Sequence, residues 1–359
     1  MLLRNNLLPQ WSQPCFPHNL PWPMKILISS HAYAPSIGGI ETVSKLLAQQ
    51  FIRLGNEVKV VTQTPADHEV TPEPAVIRQP TVPALCAALR WCDIYWQSNL
   101  SLRTLWPVLL VRRPVVITHQ GSYCRAPAGI DFHQRLKHAV VQRFPSVAAS
   151  DWVADCFPME STIIPPPYDA QVFRLASGKT TRDKDLIFLG RLVSEKGVDI
   201  LLRALGELQA RGVTPDLTIV GRGPEESSLQ DLRDRLGLHE RVTFVGPKRG
   251  EELADLLRRH RILVVPSRYE EPFGVVALEA IACGCVVIGS GGGGLPEAIG
   301  PCGLTFPNGD VDALSRTLER LLLDPDEQAR LRENAPAHLK RFEPASVAQQ
   351  YLGLFQKLL

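Results

Sequence analysis

The residues best suited to binding an anion follow the short apolar run 186–189, in the segment that contains Gly190, Arg191 and Lys196. The run reads as a strand and 198–211 as a helix, so both cations would lie at a strand's carboxyl end, before a helix. Two cations beside helix-end amide groups are suited to binding a diphosphate. The alternative is a solvated lysine in an ordinary turn, and this segment alone leaves both open.

Two glutamates, Glu271 and Glu279, stand eight positions apart. Glu271 precedes the predicted helix 274–283, and Glu279 lies inside it among apolar neighbours. A helix that is apolar all round is buried, and a buried carboxylate without hydrogen-bond donors is costly. Ribose hydroxyl groups would supply such donors. A structural partner such as an arginine is the alternative.

Glycines follow two further predicted strands. Gly221 and Gly223 come after strand 217–220, and a glycine run that includes Gly293 and Gly294 comes after strand 285–288. Glycine lets the backbone approach a ligand closely. A surface loop is the other interpretation. The third glycine of a dinucleotide fingerprint is missing after Gly223, which argues against a nicotinamide-dependent dehydrogenase.

The amino-terminal half has two candidate positions of its own. Gly38 and Gly39 stand in the loop between strand 25–29 and helix 40–54. His119 directly follows strand 115–118. A lone histidine is more often structural, but this one is predicted at the end of a sheet where ligands bind.

Short apolar strands alternate with amphipathic helices along the chain, which predicts parallel sheets covered on both faces. The fold class is therefore α/β, with two tandem Rossmann-like domains and a nucleotide-binding cleft between them. We assign residues 1–23 to a disordered or mis-started extension, 24–173 to the first domain, 174–184 to a linker, 185–342 to the second domain and 343–359 to a helix packing back on the first.

Composition narrows the functional classes. The 359 residues are 45% hydrophobic and 21% charged, with a net charge of +2, as in a globular protein without a dominant charge. No apolar run reaches the ~20 residues of a membrane span, and none of the eight cysteines forms a Cys-x-x-Cys pair. We expect a cytoplasmic protein without a metal and without a nucleic-acid partner. Two Asp-x-Asp sequences, at 183–185 and 324–326, lie away from strand carboxyl ends and read as solvated turns.

Taken in order, these motifs resemble those of the family 4 glycosyltransferases, which have the GT-B fold and transfer sugars from nucleotide-sugar donors with retention of configuration. The resemblance runs from about residue 24 to the end and is strongest over 186–310. It implies that Arg191 and Lys196 bind the donor diphosphate, Glu279 the ribose and Glu271 the donor sugar, with His119 near the sugar's 6-position. The remaining substrate-binding positions are expected in glycine-containing loops and at the start of helix 274–283, namely Gly38, Gly39, Gly190, Gly221, Gly223, Phe273, Gly274, Val275, Gly293 and Gly294.

The resemblance implies a hexosyl transfer to a saccharide or lipid-linked acceptor, in cell-surface polysaccharide or glycolipid synthesis. It also implies that 24–173 is the acceptor-side domain and that 185–342 binds the nucleotide-sugar. No cofactor is expected, because the nucleotide-sugar is a co-substrate. One departure is Pro165-Pro166-Pro167, which stands where many relatives have Pro-Asn-Gly. A sugar-nucleotide 2-epimerase of similar fold and an inactive nucleotide-sugar-binding subunit are the alternatives.

A basic stretch suggests a second kind of partner. Residues 103–143 contain seven basic side chains and one acidic side chain, and 132–144 reads as an amphipathic helix with Arg135 and Lys137 beside its apolar stripe. An ordinary solvated face is the simpler interpretation. The alternative is peripheral docking on the inner face of the plasma membrane.

Overall fold

The computed structural model describes residues 23–36, 38–65, 74–121, 139–157, 159–176, 178 and 181–359. Two sheets dominate these residues, and every pairing between their strands is parallel. The expected α/β architecture of two Rossmann-like domains is confirmed.

The first sheet has seven strands in the order β3-β2-β1-β4-β5-β6-β7. The strands are β1 Lys25–Ser29, β2 Glu57–Thr62, β3 Ala75–Arg78, β4 Ile94–Gln97, β5 Val115–His119, β6 Ser146–Ala148 and β7 Thr162–Ile163. Its helices are α1 Gly39–Arg53, α2 Val82–Trp91, α3 Leu102–Leu105 and α4 Asp151–Asp155, with a 3-10 turn at Trp106–Leu109.

The second sheet has six strands in the order β10-β9-β8-β11-β12-β13. They are β8 Lys184–Leu189, β9 Leu217–Val220, β10 Val242–Phe244, β11 His260–Val265, β12 Val286–Ser290 and β13 Gly303–Phe306. The helices are α5 Val198–Ala210, α6 Glu226–Arg235, α7 Gly250–Arg259, α8 Val275–Ala282, α9 Leu295–Ile299, α10 Val311–Leu323, α11 Pro325–Glu333, α12 Ala335–Leu339 and α13 Pro344–Leu358, with 3-10 turns at Ser194–Lys196, Gly300–Cys302 and Lys340–Phe342.

The strand order reverses between β1 and β4 in the first sheet and between β8 and β11 in the second. In open parallel sheets, ligands bind outside the carboxyl ends of the strands at such a switch point. The loop after β8 carries Arg191 and Lys196, and the loop after β11 carries Glu271. The topology therefore brings the two strongest candidate segments to one place.

The last helix of the chain returns from the second domain to the first. Helix α13 packs on α1, where Val347, Tyr351 and Phe355 join the core of the first domain. The hydroxyl of Tyr351 lies 3.0 Å from Thr118 Oγ1 at the end of β5. The last helix of the chain thus belongs structurally to the first domain.

The end of the expected first domain lies in a core shared by both domains. Tyr168 and Phe173 pack in one cluster with Ala148 of β6 and Leu278 of α8. Strand β8 begins at Lys184, the last residue of the expected linker. The boundary at residue 173 stays a prediction.

Candidate functional site

The centre of the candidate site is an ion pair between the two strand-end loops at the switch point. Lys196 Nζ lies 2.6 Å from Glu271 Oε1, and both side chains are largely buried. Lys196 ends the 3-10 turn that follows β8, and Gly197 then takes a left-handed conformation, with φ of 68°, to start α5. The tight turn fixes the lysine against the neighbouring loop.

Two hydroxyl groups also hold the carboxylate of Glu271. Ser267 Oγ donates to Oε1 at 2.6 Å, and the Tyr269 hydroxyl donates to Oε2 at 2.7 Å. Burial and the negative charge of Glu271 raise the pKa of Tyr269 well above its usual value, so the phenol stays protonated and remains a donor. The Lys196 ammonium also lies 5.2 Å from the centre of the Tyr269 ring. Glu271 is thus a preorganised acceptor.

Arg191 is exposed at the start of the same loop. The preceding residue, Gly190, is fixed by a hydrogen bond from its N–H to the Val220 carbonyl, 3.0 Å away. The guanidinium is therefore anchored through its backbone, and its charged end is accessible to an anionic ligand at the carboxyl end of β8.

Glu279 lies in α8, and no described residue donates a hydrogen bond to its carboxylate or pairs with it. Burial, and secondarily the negative charge of Asp169, raise the pKa of Glu279 to about 8. No arginine among the described residues pairs with Glu279, so the structural partner considered as an alternative is not found there. An apolar site with one carboxyl group still to be satisfied is suited to a ligand with hydroxyl donors.

The start of α8 offers its main chain. Phe273 is buried, and its ring centre lies 5.6 Å from that of Phe342, so its side chain belongs to the core. Gly274 has a φ of 106°, which an L side chain rarely adopts, and Val275 begins the helix. Of the expected binding residues Phe273, Gly274 and Val275, the first can therefore contact a ligand only through its backbone.

Two of the expected ligand-binding glycines are required by the packing of neighbouring loops. A Cβ on Gly223 would lie 2.2 Å from the Leu192 carbonyl oxygen, and one on Gly221 would lie 1.8 Å from that of Gly190. Their lack of a side chain lets the loops after β8 and β9 pack against each other. This packing explains both glycines without a ligand, and a role in binding stays a prediction.

The glycine run after β12 supports Glu271 directly. Gly293 forms an isolated parallel bridge with Glu271, and the Gly294 N–H donates to the Glu271 carbonyl at 2.7 Å. A Cβ on Gly294 would lie 2.3 Å from the Pro272 carbonyl oxygen and 2.6 Å from Ser150 Oγ. The glycine run thus fixes the loop that carries Glu271. Direct contact between these glycines and a substrate stays a prediction.

An interdomain contact of α4 was missed in the sequence. Ser150 Oγ donates to the Pro272 carbonyl at 2.6 Å and accepts from Val153 N–H, so it also caps α4. The Glu297 carboxylate accepts from Asp151 N–H at 3.0 Å. A negative charge at this amino-terminal end of α4 interacts favourably with the helix dipole. Glu297 closes the glycine-rich motif, but only the fold reveals that it reaches the other domain.

The first domain's candidates differ in accessibility. Gly38 precedes α1 and Gly39 begins it, at the carboxyl end of β1 beside the switch point. His119 is completely buried; its Nε2 lies 3.2 Å from Ser146 Oγ, and its ring centre lies 4.2 Å from that of Phe157. In this conformation His119 therefore presents no surface to a donor sugar, contrary to the role that was expected.

The Asp-x-Asp sequences have structural partners. Asp183 pairs with Arg259, Asp185 pairs with Arg261, and Asp324 accepts from Glu327 N–H to cap α11. Within the described ranges, no three His, Cys, Asp or Glu side chains are grouped so that they could hold a metal ion. Nor is any helix in those ranges long and apolar enough to cross a membrane.

Comparison with known proteins agrees with this geometry. Two curated relatives are the D-inositol 3-phosphate glycosyltransferases of Corynebacterium jeikeium (35% identity, 55% of this chain and 51% of the relative) and Stackebrandtia nassauensis (36%, 55% and 49%). The chain thus spans about half the length of the curated relatives it matches.

Solved structures match over more of the chain. The Anabaena protein HepE, in complex with UDP and glucose, aligns with a TM-score of 0.77 at 21% identity over 93% of this chain and all of the other. Sucrose-phosphate synthase from Thermosynechococcus elongatus aligns with a TM-score of 0.76 at 22% identity, over 93% and 99%. At this identity the likeness shows the fold, which is of the GT-B type.

A protein-family model matches the part of the chain that carries the ion pair. Residues 169–338 match the model described as "Glycosyl transferases group 1". These residues include every candidate of the second domain, from Gly190 to Gly294. The chain has the two-domain GT-B fold, and its residues 169–338 are similar to the glycosyl transferases group 1.

Proposed function

We propose that this protein transfers a hexosyl group from a nucleoside-diphosphate sugar to a saccharide or lipid-linked acceptor, with retention of configuration. The observation that carries the proposal is the Lys196–Glu271 ion pair at the switch point of the second sheet. It joins a cation suited to a diphosphate with a carboxylate suited to sugar hydroxyl groups, at the place where such a sheet binds ligands.

The leaving group sets the main chemical demand. When the bond between the anomeric carbon and the diphosphate oxygen breaks, negative charge grows on the departing diphosphate. Arg191 and Lys196 stabilise that charge more in the transition state than in the ground state, which is the condition for faster transfer. Lys196 has three N–H donors, so it can hold Glu271 and a phosphate oxygen together.

The two glutamates divide the donor between them. Glu271, held by Lys196, Ser267 and Tyr269, presents its remaining lone pairs to hydroxyl groups of the sugar. Glu279, in its apolar surroundings, binds the ribose hydroxyl groups. Retention follows when the acceptor oxygen bonds to the anomeric carbon on the face that the diphosphate leaves, while the acceptor's proton passes to a diphosphate oxygen. This route needs no enzymic nucleophile.

The donor is a uridine-diphosphate sugar on this account, since the HepE structure that shares the fold contains UDP and glucose. The acceptor carries a saccharide or a lipid, and the reaction belongs to the synthesis of cell-surface polysaccharide or glycolipid. WaaG, described as a glycosyltransferase of lipopolysaccharide biosynthesis, has the same fold with a TM-score of 0.64.

A surface of the first domain supports docking on an anionic membrane. Trp106, Leu109 and Leu110, which we call the apolar patch, are 43%, 82% and 67% exposed around one 3-10 turn. The exposed side chains of Arg103 and Arg112 flank the patch in sequence. Aromatic and aliphatic side chains beside arginines are typical of a surface that inserts at a membrane interface. Most of the basic helix expected at 132–144 lies outside the described residues.

The proposed function is tested in two steps. UDP-, GDP- and ADP-sugars are first compared by thermal shift, since a ligand at 100 times its dissociation constant stabilises by about 2.7 kcal/mol. The stabilising donor is then incubated with candidate saccharides, and the released nucleoside diphosphate and the anomeric configuration of the product are measured by NMR.

The alternatives give different results. A 2-epimerase would change the configuration at carbon 2 of the released sugar and form no glycoside. An inactive subunit would bind a donor and release nothing from it. Transfer with inversion would keep the glycosyltransferase assignment and contradict the proposed stereochemistry.

A further inference from the structure

A second open cavity lies beside the proposed donor site. It measures about 840 Å³ and opens at the carboxyl ends of β11, β12 and β13, and Trp152 of the first domain closes one side. Its remaining walls include Tyr269, Glu270, Thr305 and Asn308. Arg191, Lys196 and Glu279, which we assign to the nucleotide, do not line it, so it can be filled while a donor is bound.

The cavity adjoins the donor site through one residue. Tyr269 lines the cavity, and its hydroxyl donates to Glu271 Oε2 at 2.7 Å. Tyr269 therefore belongs both to the cavity wall and to the surroundings of the glutamate that we assign to the donor sugar. Trp152 is carried to the opposite wall by α4, which the Ser150–Pro272 and Asp151–Glu297 hydrogen bonds fix to the second domain.

The lining selects against a phosphate group. Arg268 is the cation of the lining, and Asp199 binds its guanidinium through both carboxylate oxygens while the Ser194 carbonyl accepts a further hydrogen bond. An anionic ligand would thus meet an arginine whose charge is already neutralised.

The same lining is suited to an uncharged polyhydroxylated ligand. The half-buried rings of Trp152 and Tyr269 offer apolar surface for the C–H face of a sugar. Glu270, Thr305 and Asn308 offer acceptors and donors for its hydroxyl groups. Asn308 Oδ1 is held by the Gly292 N–H at 2.7 Å, which fixes the orientation of its amide group.

We propose that this cavity binds an uncharged saccharide unit of the acceptor, beside the donor sugar. The proposal rests on the proposed glycosyl transfer, and it adds a place and a chemical class for the acceptor. The saccharide stacks on Trp152, and Tyr269 forms the wall it shares with the donor site.

The test measures saccharide binding directly and needs no turnover. Saturation-transfer NMR with glucose, mannose, galactose, N-acetylglucosamine and their 1,4-linked disaccharides, each with and without UDP, is expected to detect at least one binder. Trp152→Ala should lower that affinity at least tenfold, and Thr305→Trp, which fills the cavity, should abolish the signal. Trp106→Ala is the matched control, because this exposed tryptophan lies on the first domain and does not line the cavity.

Calorimetry with UDP separates this proposal from the proposed function. Trp152→Ala should change UDP affinity less than twofold, because the nucleotide lies elsewhere. A panel without a binder, or a binder whose affinity survives in both Trp152→Ala and Thr305→Trp, would overturn the saccharide site even if UDP binds. If the wild-type protein does not bind UDP, that result would instead count against the proposed function.

Discussion

Lys196 Nζ lies 2.6 Å from Glu271 Oε1, across the switch point between β8 and β11. Each residue comes from a separate strand-end loop, and the sequence assigned them to different parts of the donor. Their pairing means that each side chain helps to position the other. The ammonium must serve both a buried carboxylate and an incoming phosphate.

Lys196→Ala should reduce transfer by about 100- to 1,000-fold, because loss of a preorganised donor at the leaving group raises the barrier by about 2.7–4 kcal/mol. Arg191→Ala should also reduce the rate of transfer. Initial rates of nucleoside diphosphate release measure both. Lys184→Ala is the control, since Lys184 lies at the opposite end of β8 and pairs with Asp216. Equal rates for Lys196→Ala and Lys184→Ala would remove Lys196 from the mechanism.

Glu279→Gln should weaken binding of the nucleoside diphosphate alone, because the ribose is present with or without the sugar. Loss of one hydrogen bond to a ribose hydroxyl group predicts a cost of about 0.5–1.5 kcal/mol. Glu271→Gln should leave that affinity within about twofold, since it frees Lys196 for the phosphate, yet it should slow transfer at least tenfold. Isothermal titration and transfer rates distinguish the two. Equal losses of nucleotide affinity would refute this division of roles.

The raised pKa of Glu279 predicts a dependence of stability on pH. Burial lifts this pKa from 4.5 to about 8, so the folded protein holds the proton more tightly than the unfolded chain. The free energy of unfolding should therefore fall as the pH rises from 4.5 towards 8. The Glu279→Gln variant has no carboxyl group to titrate at this position, so it does not show this fall in stability. Its free energy of unfolding relative to wild type should therefore increase over that window by roughly 1–3 kcal/mol.

Urea unfolding across that pH window measures the effect in the ligand-free protein. A Glu279→Gln difference that stays constant across the window would mean that the pKa of Glu279 is not raised in the folded protein, and the expected effect of burial would be wrong.

Gly294→Ala should destabilise the protein by about 1–3 kcal/mol, because the added methyl group would overlap with the Pro272 carbonyl and Ser150 Oγ. It should also lower transfer, since the same loop holds Glu271. Gly178→Ala is the control, as its Cβ would meet no atom within 4 Å. Thermal unfolding and transfer rates are compared for both. An unchanged stability in Gly294→Ala would argue that the interdomain contact at α4 is loose.

The apolar patch predicts binding to anionic vesicles. Leu109→Ser combined with Leu110→Ser should reduce co-sedimentation several-fold, whereas Leu175→Ser with Leu323→Ser, which alters equally exposed leucines of the linker and the second domain, should not. Arg135→Glu and Lys137→Glu should weaken binding as well, since each basic residue near such a surface contributes about 1 kcal/mol.

Binding should require anionic lipid and should fall as salt screens the charges. Equal recovery with neutral and anionic vesicles, or no recovery with either, would leave the patch without a membrane role. Neither result would affect the assignment of the donor site, because the patch and the cleft are formed by different residues.

The fold followed from the sequence because the long strands and helices have clear periodicity. The elements that were missed are short or follow prolines. Strand β6 has only Ser146–Ala148, and α2 begins in a proline-containing segment, where Thr81 accepts from Ala84 N–H and caps the helix. The helical stretch after α10 is divided in two, because Asn334 ends α11 and Pro336 lies in the first turn of α12.

The positions of Arg191 and Lys196 after β8, and of Glu271 before α8, could be predicted from the order of strands and helices. Glu279 was selected because its neighbours in the helix are apolar, and the binding roles of all four residues stay predictions. Local sequence could not show that Lys196 and Glu271 pair, because the contact depends on the order of β8 and β11. It also could not show that His119 turns into the first domain's core, since strand-end position does not fix side-chain direction there.

A crystal structure with the uridine-diphosphate sugar, or with UDP alone, would show where the nucleotide binds. We expect the diphosphate within about 3.5 Å of Lys196 Nζ and the ribose hydroxyl groups within hydrogen-bonding distance of Glu279. A nucleotide bound away from the β8–β11 switch point would contradict it. So would a complex in which Lys196 contacts only Glu271 and no phosphate oxygen.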